Sequence, residues 1–479
     1  MSSDKNTLII LGSGPCGISV AKELIKSKFN VYMIDCGFDK AMNIKSSDSS
    51  KQQLIQSPKF KVSNNKFAYS NYEKMNNLKT KNFTAIGSLA TGGLSNIWGG
   101  GIDLFTQDEF LGESIKFQTI EEIYNELFFR ITGESIHSNA IPYSSHSSNY
   151  IDNDFLDLIK KQKESEVQLR MPMTAVNYRN VHLKNFKKNN GIYNSGDDIK
   201  NLNRNSNFTY LKNRFVKKIS KTSQGYKISF DNLENNKSEN ISSKFIFCSL
   251  GTLSTTRIVM DLLGIQEASL PTTPSGYYLG FSKSKKNKKD IIFGLPALDY
   301  SIKTNGKKIN GSLFRFNSDY IDIAISEKSK QLKFFLKKYF SHFLEHFYIG
   351  NIYFSSEYSM NKITLGEEFV ISGKNTNSLQ DHFNLAIKNL KQELKKAGVF
   401  ILFSNLFNPG QDIHYGSTIP CRKNPKKLQC NLDGELCNHK NFYITDSSSL
   451  PSLPGKRHTF TSMAHSTLIA RKFLRNIKE

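Results

Sequence analysis

The first apolar run of the chain, Thr7 to Leu11, is short, uninterrupted and followed at once by glycines. Such a run predicts a strand buried in a parallel sheet. A helix is expected after the glycines, and a second apolar run, Val31 to Ile34, ends at Asp35. The opening residues therefore read as strand, glycine turn, helix and strand. A similar step recurs at "KFIFCSLGTLSTTRIVM" (244–260), where an apolar strand runs into Gly251 and then a helix. Just before it, "YLKNRFVKKISKTSQGYKISF" (210–230) has the pattern of a hairpin.

Helical spacing marks "TIEEIYNELFFRITG", opened by a Thr119–Glu122 capping box, and "SLQDHFNLAIKNLKQELKKAG", with Ser378 and Asp381 at its start and Gly398 at its end. Between 262 and 372, "DIIFGLPALDYSI", "NIYFSSEYSM" and "KITLGEEFVIS" read as sheet strands that roof a cofactor. In "NFYITDSSSLPSLPGKRHTFTSMAHSTLIARKFL" a strand ends at Asp446, prolines stiffen a loop and a helix opens around Thr459 to Thr461. The stretch 331–350, "QLKFFLKKYFSHFLEHFYIG", is amphipathic. It reads as a core-facing helix, with peripheral contact at an acidic membrane as the alternative. Residues 38–60 and 134–153 are polar and turn-rich and read as loops or lids.

Composition narrows the class. The 479 residues, 38% hydrophobic and 22% charged, fit a folded chain of two or more domains or one large interleaved architecture. Lys plus Arg number 65 against 42 acids, a net +23 that favours anionic partners. The charge is dispersed, however, with denser runs only at 283–290 and 422–427. No nucleic-acid motif or clustered basic face accompanies it, so a nucleic-acid partner is not expected. No run reaches the length of a membrane span. The strand at Thr7 leaves no room for a signal peptide, so a cytoplasmic chain with reduced cysteines is expected. Cys421, Cys430 and Cys437 lie near His439 but lack the tight ligand pairs of common zinc modules. Free thiols in a surface excursion, and no metal, are the expectation.

The candidate chemistry begins at Gly12, Gly14 and Gly17, a GxGxxG between strand and helix. The first permits the tight turn, the second lets a pyrophosphate approach the backbone, and the third lets helix and strand pack closely. Asp35 is placed to accept hydrogen bonds from a ribose diol. The motif does not separate FAD from NAD. A second glycine loop, "GSLATGGLSNIWGGG" (87–101), suits a large cofactor touched along its length, with Gly92, Gly93, Ser95, Asn96 and Trp98 as candidate contacts. Val216, beside Phe215, is a candidate neighbour of an adenine, and Gly251 marks another phosphate-side turn.

Taken together, segments 5–37, 87–101, 210–262 and 410–475 resemble the glucose–methanol–choline (GMC) family of FAD oxidoreductases. The most specific element is the end of the chain, where the family's turn around a first histidine reads "HYGST" and its closing motif reads "ITDSSSLPSLPGKRHTFTSMAHSTLIA". The loop "GGLSNIWGG" is closer to the sugar-oxidising branch, which includes pyranose oxidases and fructose and gluconate dehydrogenases. A histidine that bonds covalently to flavin in pyranose oxidases is replaced here by Ile97, which implies non-covalent FAD. Two further departures are Ser417-Thr418 in place of Gly-Thr and Cys421 in place of a methionine.

The resemblance implies an α/β fold. A Rossmann-like FAD-binding domain (1–150, 206–262 and 406–479) would be interleaved with a substrate domain (151–205 and 263–405) built on an antiparallel sheet with helices. It implies oxidation of a CH–OH group of a small-molecule alcohol, a sugar or glycoconjugate among the candidates. It also implies His414 as base and His458 as its partner, with Asp446 and the Thr459–Thr461 amides on the flavin side. His465 has no such support and is expected to pack its helix. Two rivals stand beside this reading. One keeps the fold but binds NAD or isomerises without redox change, and the other is a basic, non-enzymatic nucleotide- or nucleic-acid-binding protein.

Overall fold

The structure, a computed structural model, describes residues 6–39, 71–110, 117–136, 153–162, 165–177, 191–283, 295–316, 334, 338 and 343–478. Its first layer is a parallel sheet. Strands β1 (Thr7–Leu11), β2 (Asn30–Ile34), β3 (Phe208–Leu211) and β4 (Phe245–Cys248) stand in the order β4-β1-β2-β3, and Phe442–Ile444 closes the side beyond β4. The uninterrupted apolar run of β1 has a physical reason. Leu8 and Ile10 face helix α1 (Pro15–Leu24) and the C-terminal helix, while Ile9 and Leu11 face the hairpin Arg214–Thr222/Gly225–Asn232. With both faces covered, no polar alternation is tolerated.

The second layer is a six-stranded antiparallel sheet. Strands β5 (Ser275–Ser282), β6 (Pro296–Thr304), β7 (Lys307–Arg315), β8 (Phe347–Tyr353) and β9 (Val399–Leu406) run in the order β9-β5-β8-β7-β6, and Val167–Arg170 forms the far edge. One face packs on an amphipathic helix. Tyr278, Leu313 and Ile352 meet Phe383, Ile387, Leu390 and Leu394 of that helix (Leu379–Lys396). It starts after Ser378, and Gly398 lies beyond its end in the left-handed region (φ 71°), as its sequence pattern requires. The opposite face of the sheet turns toward the carboxyl ends of the parallel strands.

Several boundaries differ from the sequence reading. Helix Phe117–Thr132 begins two residues before Thr119, so Thr119 lies inside the helix and not at its cap. Residues 199–202 were expected in the substrate half, yet Ile199 and Leu202 pack beneath the parallel sheet with α1. Glu267–Ser269 and Lys362–Ser372 likewise pair into a small sheet with Leu78–Lys81, because Ile363, Phe369 and Ile371 find their core against Tyr72 and Phe83. Of the amphipathic stretch 331–350, all but Phe334, Lys338 and 343–350 lies outside the described residues, and 347–350 is strand, not helix. Most of 38–60 and 134–153 also lies outside them. Among the described residues no helix is long and apolar enough to cross a membrane.

Two of the three cysteines near His439 are not on the surface, and Cys437 is half-buried. Cys421 and Cys430 are fully buried and face each other across an isolated parallel bridge. The Cys437 thiol donates to the Pro425 carbonyl (3.3 Å), and His439 stacks on Tyr226. Cys437 and His439 thus engage partners outside the Cys421–Cys430 pair, and among the described residues no cluster of three or more His, Cys, Asp or Glu is arranged for a metal. His465 is buried in the C-terminal helix with its ring beside the Ser449 hydroxyl (3.3 Å).

Candidate functional site

The carboxyl ends of four parallel strands open on one cavity. Gly12 follows β1, Asp35 follows β2, Gly251 lies three residues past β4, and Asp446 lies two residues past Ile444. This is the edge at which open parallel sheets take ligands. The three motif glycines differ in what they do there. A Cβ on Gly17 would sit 2.0 Å from the Gly12 carbonyl oxygen, so Gly17 lets α1 press on the turn and does not line the cavity. Gly14 meets nothing within 4 Å, and its open side belongs to the cavity. Gly14 is also the N-cap of α1, without a side-chain cap and with no acid in the first turn. The first amides of α1 are thus left for an anion.

Asp35 is buried beside this cradle. Its Oδ2 accepts from the Ser13 hydroxyl and from the Tyr210 hydroxyl (3.1 Å). Burial outweighs these bonds and pushes its pKa up to about 6. The Ser13 oxygen also accepts the Gly92 amide (2.9 Å), which ties the two glycine loops together. Gly93, Ser95, Ile97 and Trp98 reach the cavity wall, whereas Gly92 and Asn96 do not. Their polar groups are spent within the protein. The Asn96 amide donates to the Thr91 and Gly93 carbonyls (both 2.8 Å), closing the loop on itself. Trp98 donates its indole N–H to the Tyr193 carbonyl (2.7 Å).

At one end of the cavity lie Phe215 and Val216, joined by Arg214 and Arg257, neither of which the sequence singled out. Arg257 is held to the Val216 carbonyl (3.3 Å), with its guanidinium 6.0 Å from the Phe215 ring. Midway, Asp446 accepts from the Gly251 amide (2.9 Å), the Thr255 hydroxyl (2.5 Å) and the Ser448 amide (2.9 Å). Burial raises its pKa in spite of them. Its carboxylate fixes backbone that lines the cavity.

At the other end the chain brings His414 and His458 together. Their ring centroids are 5.4 Å apart at 73°, and both line the cavity. His414 is held by its own backbone. Its N–H donates to Asp412 Oδ1 (2.8 Å), its carbonyl accepts from Thr273 N–H (3.2 Å), and its ring meets Tyr353 at 4.9 Å. Ile413, just before it, is a β-branched residue in the left-handed region (φ 63°), a strained conformation of the kind that concentrates at functional sites. The buried His458 immediately precedes the C-terminal helix (Thr459–Lys478), and its carbonyl accepts both the amide (2.8 Å) and the hydroxyl (2.9 Å) of Ser462. Thr459 lies on the wall, so the first turn of that helix abuts the histidine pair.

Arg457, unmarked in the sequence, is the structural anchor. Its guanidinium donates to Asp103 (2.8 Å) and Asp299 (2.5 Å), and Asp103 also binds Arg170. Burial alone would raise the Asp103 pKa, but the two guanidinium groups override it and hold the carboxyl well below its usual range. Two carboxylates and two arginines thus balance beneath the histidines.

The crystal structure of pyridoxine 4-oxidase from Mesorbium loti is similar over 98% of this chain and 99% of its own, with a TM-score of 0.63 and 12% sequence identity. The likeness is one of fold: a parallel sheet joined to a large antiparallel sheet. No family model matches the sequence, and no curated protein matches it in sequence.

Ser417 stands where the resembling family carries glycine, and its φ is 54°. Its hydroxyl is buried without a hydrogen-bond partner. Ser417→Gly is therefore expected to stabilise the fold by about 1 kcal/mol, since relief of the left-handed penalty exceeds the added chain entropy. Denaturant unfolding checks this, and a lower midpoint would contradict it.

Proposed function

We propose that the chain is an FAD-dependent oxidoreductase of GMC type that oxidises a CH–OH group, with His414 as base. The observation that carries the reading is the histidine pair, set on the same cavity as the glycine cradle and the first turn of the C-terminal helix. The solved neighbour in fold is named an oxidase of pyridoxine, which supports oxidoreductase chemistry.

The residues present fit an extended dinucleotide. The open side of Gly14 and the uncapped amides of α1 suit a pyrophosphate. Asp35 suits the ribose diol, and Phe215 and Val216 suit the adenine. Gly251 also has nothing within 4 Å of where a Cβ would stand, so the backbone here is open to close approach. Ile97 offers no atom for a covalent bond at its position, which favours non-covalent binding.

Bound FAD supplies the hydride acceptor. The protein's own part is proton handling and positioning. His414 takes the proton from the substrate hydroxyl as the C–H bond breaks, and neutral imidazole suits this because its ordinary pKa lies near working pH. His458 hydrogen-bonds the same oxygen, fixing its orientation and stabilising developing alkoxide character. The partial positive charge at the start of the C-terminal helix adds to the same end of the cavity.

Two outcomes are expected. His414→Ala retains the flavin spectrum but loses about 10²- to 10⁴-fold in the rate of anaerobic bleaching by substrate. An unchanged rate removes His414 as base. Asp35 is the stronger acceptor for the ribose hydroxyls when ionised, so FAD retention should weaken as pH falls through about 6. Asp35→Asn should bind weakly at every pH and lose this step. Equal pH profiles for both proteins, measured by gel filtration and flavin absorbance, would contradict the assignment.

A further inference from the structure

The cavity-facing side of the six-stranded sheet continues past the cavity. Side chains two residues apart share a face, so Tyr277, Leu279 and Phe281 of β5 follow one another along it. Register sets Ile349 and Phe403 on either side of Leu279, and Phe347 and Phe400 on either side of Phe281. Tyr277 and Ile349 line the cavity, and the four phenylalanines lie beyond its wall. At ~3.4 Å per residue, Phe281 stands roughly 14 Å further along the sheet than Tyr277. Phe343 completes the patch, its ring 6.3 Å from that of Phe281 and 5.2 Å from that of Phe347.

The patch meets water. Eight large hydrophobic side chains are exposed among the described residues. Five of them, Phe334, Phe343, Phe400, Leu402 and Phe403, belong to this end of the sheet or to the connection that leaves it. Phe343 lies on the apolar side of the amphipathic stretch 331–350, yet it is 52% exposed, so at this residue that side is not spent on the core. Lysines surround the rings. Lys283 follows β5 directly, Lys395 and Lys396 close the helix that leads into β9, and Lys338 holds its ammonium 5.7 Å from the Phe334 ring centroid. All four are exposed. Against them stand Glu345 and Glu393, and Glu393 is buried and paired with Lys396 (2.6 Å). Past Lys283 the next six residues of the sequence add four more lysines.

We infer that this face docks on an anionic lipid surface, with the rings at the acyl-chain boundary and the lysines among the headgroups. A second copy of the chain fits the face less well, because each copy carries a net +23 and would set lysines against lysines. A lipid surface answers both parts of the patch, since interfacial binding grows with buried apolar area and with attraction to anionic headgroups. The inference stands apart from the redox reading, in which none of these rings or lysines takes part.

The test is flotation of the full chain with vesicles of phosphatidylcholine alone and with about 30% phosphatidylserine added. Affinity should be at least about tenfold higher for the anionic vesicles at physiological salt. Two double variants separate docking by this face from the general attraction of a basic chain to an acidic surface. Phe343→Ser/Phe403→Ser should lose at least about tenfold in affinity for anionic vesicles while keeping the parent's unfolding midpoint. Lys283→Glu/Lys338→Glu should lose a similar factor. Phe343→Trp should keep the parent's affinity, and its added fluorescence should shift to the blue on anionic vesicles only. No binding to anionic vesicles overturns the proposal, as does unchanged affinity in either double variant or an unshifted emission from Phe343→Trp. A dimer seen by light scattering without lipid, and split by Phe343→Ser/Phe403→Ser, overturns it in favour of a second copy.

Discussion

One buried interaction joins the parts of this molecule that must meet for chemistry. Arg457 binds Asp299 on strand β6 and Asp103 just after the second glycine loop, and it is the residue before His458. The antiparallel sheet, the second glycine loop and the start of the C-terminal helix are thereby fixed to one guanidinium. The pairing is balanced by Arg170, so the buried charges compensate one another. Removing the arginine would leave two buried carboxylates with one partner, a loss of about 3–5 kcal/mol by the usual cost of a broken buried pair. The position of His458 depends on that lock.

The other half of the site follows from parallel pairing. Strands β1, β2 and β4 and the segment Phe442–Ile444 all point their carboxyl ends at the same edge, so a glycine turn, two acids and a helix start collect there without long-range design of each. Both acids, Asp35 and Asp446, are buried enough that desolvation raises their pKa values. Asp446 has most of its bonds within the protein and acts as a brace, while Asp35 lies at the cavity beside the glycine turn, bonded to Ser13 and Tyr210. The division of labour is one of position, because the two carboxylates are chemically alike.

What could be read from the sequence was local. β1, its glycines, Asp35 and the helix after Ser378 depend on neighbours a few residues away, and the strand-turn-helix pattern shows them directly. The histidine pair was legible only through the closing motif that His414 and His458 share with a family. Ser13 and Tyr210 were not, because their bonds to Asp35 span 22 and 175 residues and leave no periodic trace. Arg457 was hidden for the same reason, its carboxylate partners lying 354 and 158 residues away. The bonds by which Gly92 and Asn96 shape their loop were not legible, because residues that shape a glycine loop look like residues that line it. Cys421 and Cys430 were placed outside since their surroundings are polar and turn-rich, yet a single bridge turns both inward.

The central claim is that the cavity between the two sheets holds FAD. Titrating FAD into the purified, flavin-stripped chain, followed by absorbance and by quenching of free-flavin fluorescence, tests it most directly. The account predicts saturation at one FAD per chain, with bands near ~370 and ~450 nm that stay with the protein through gel filtration. No saturable binding of FAD, or displacement of FAD by NAD at equal concentration, would contradict it.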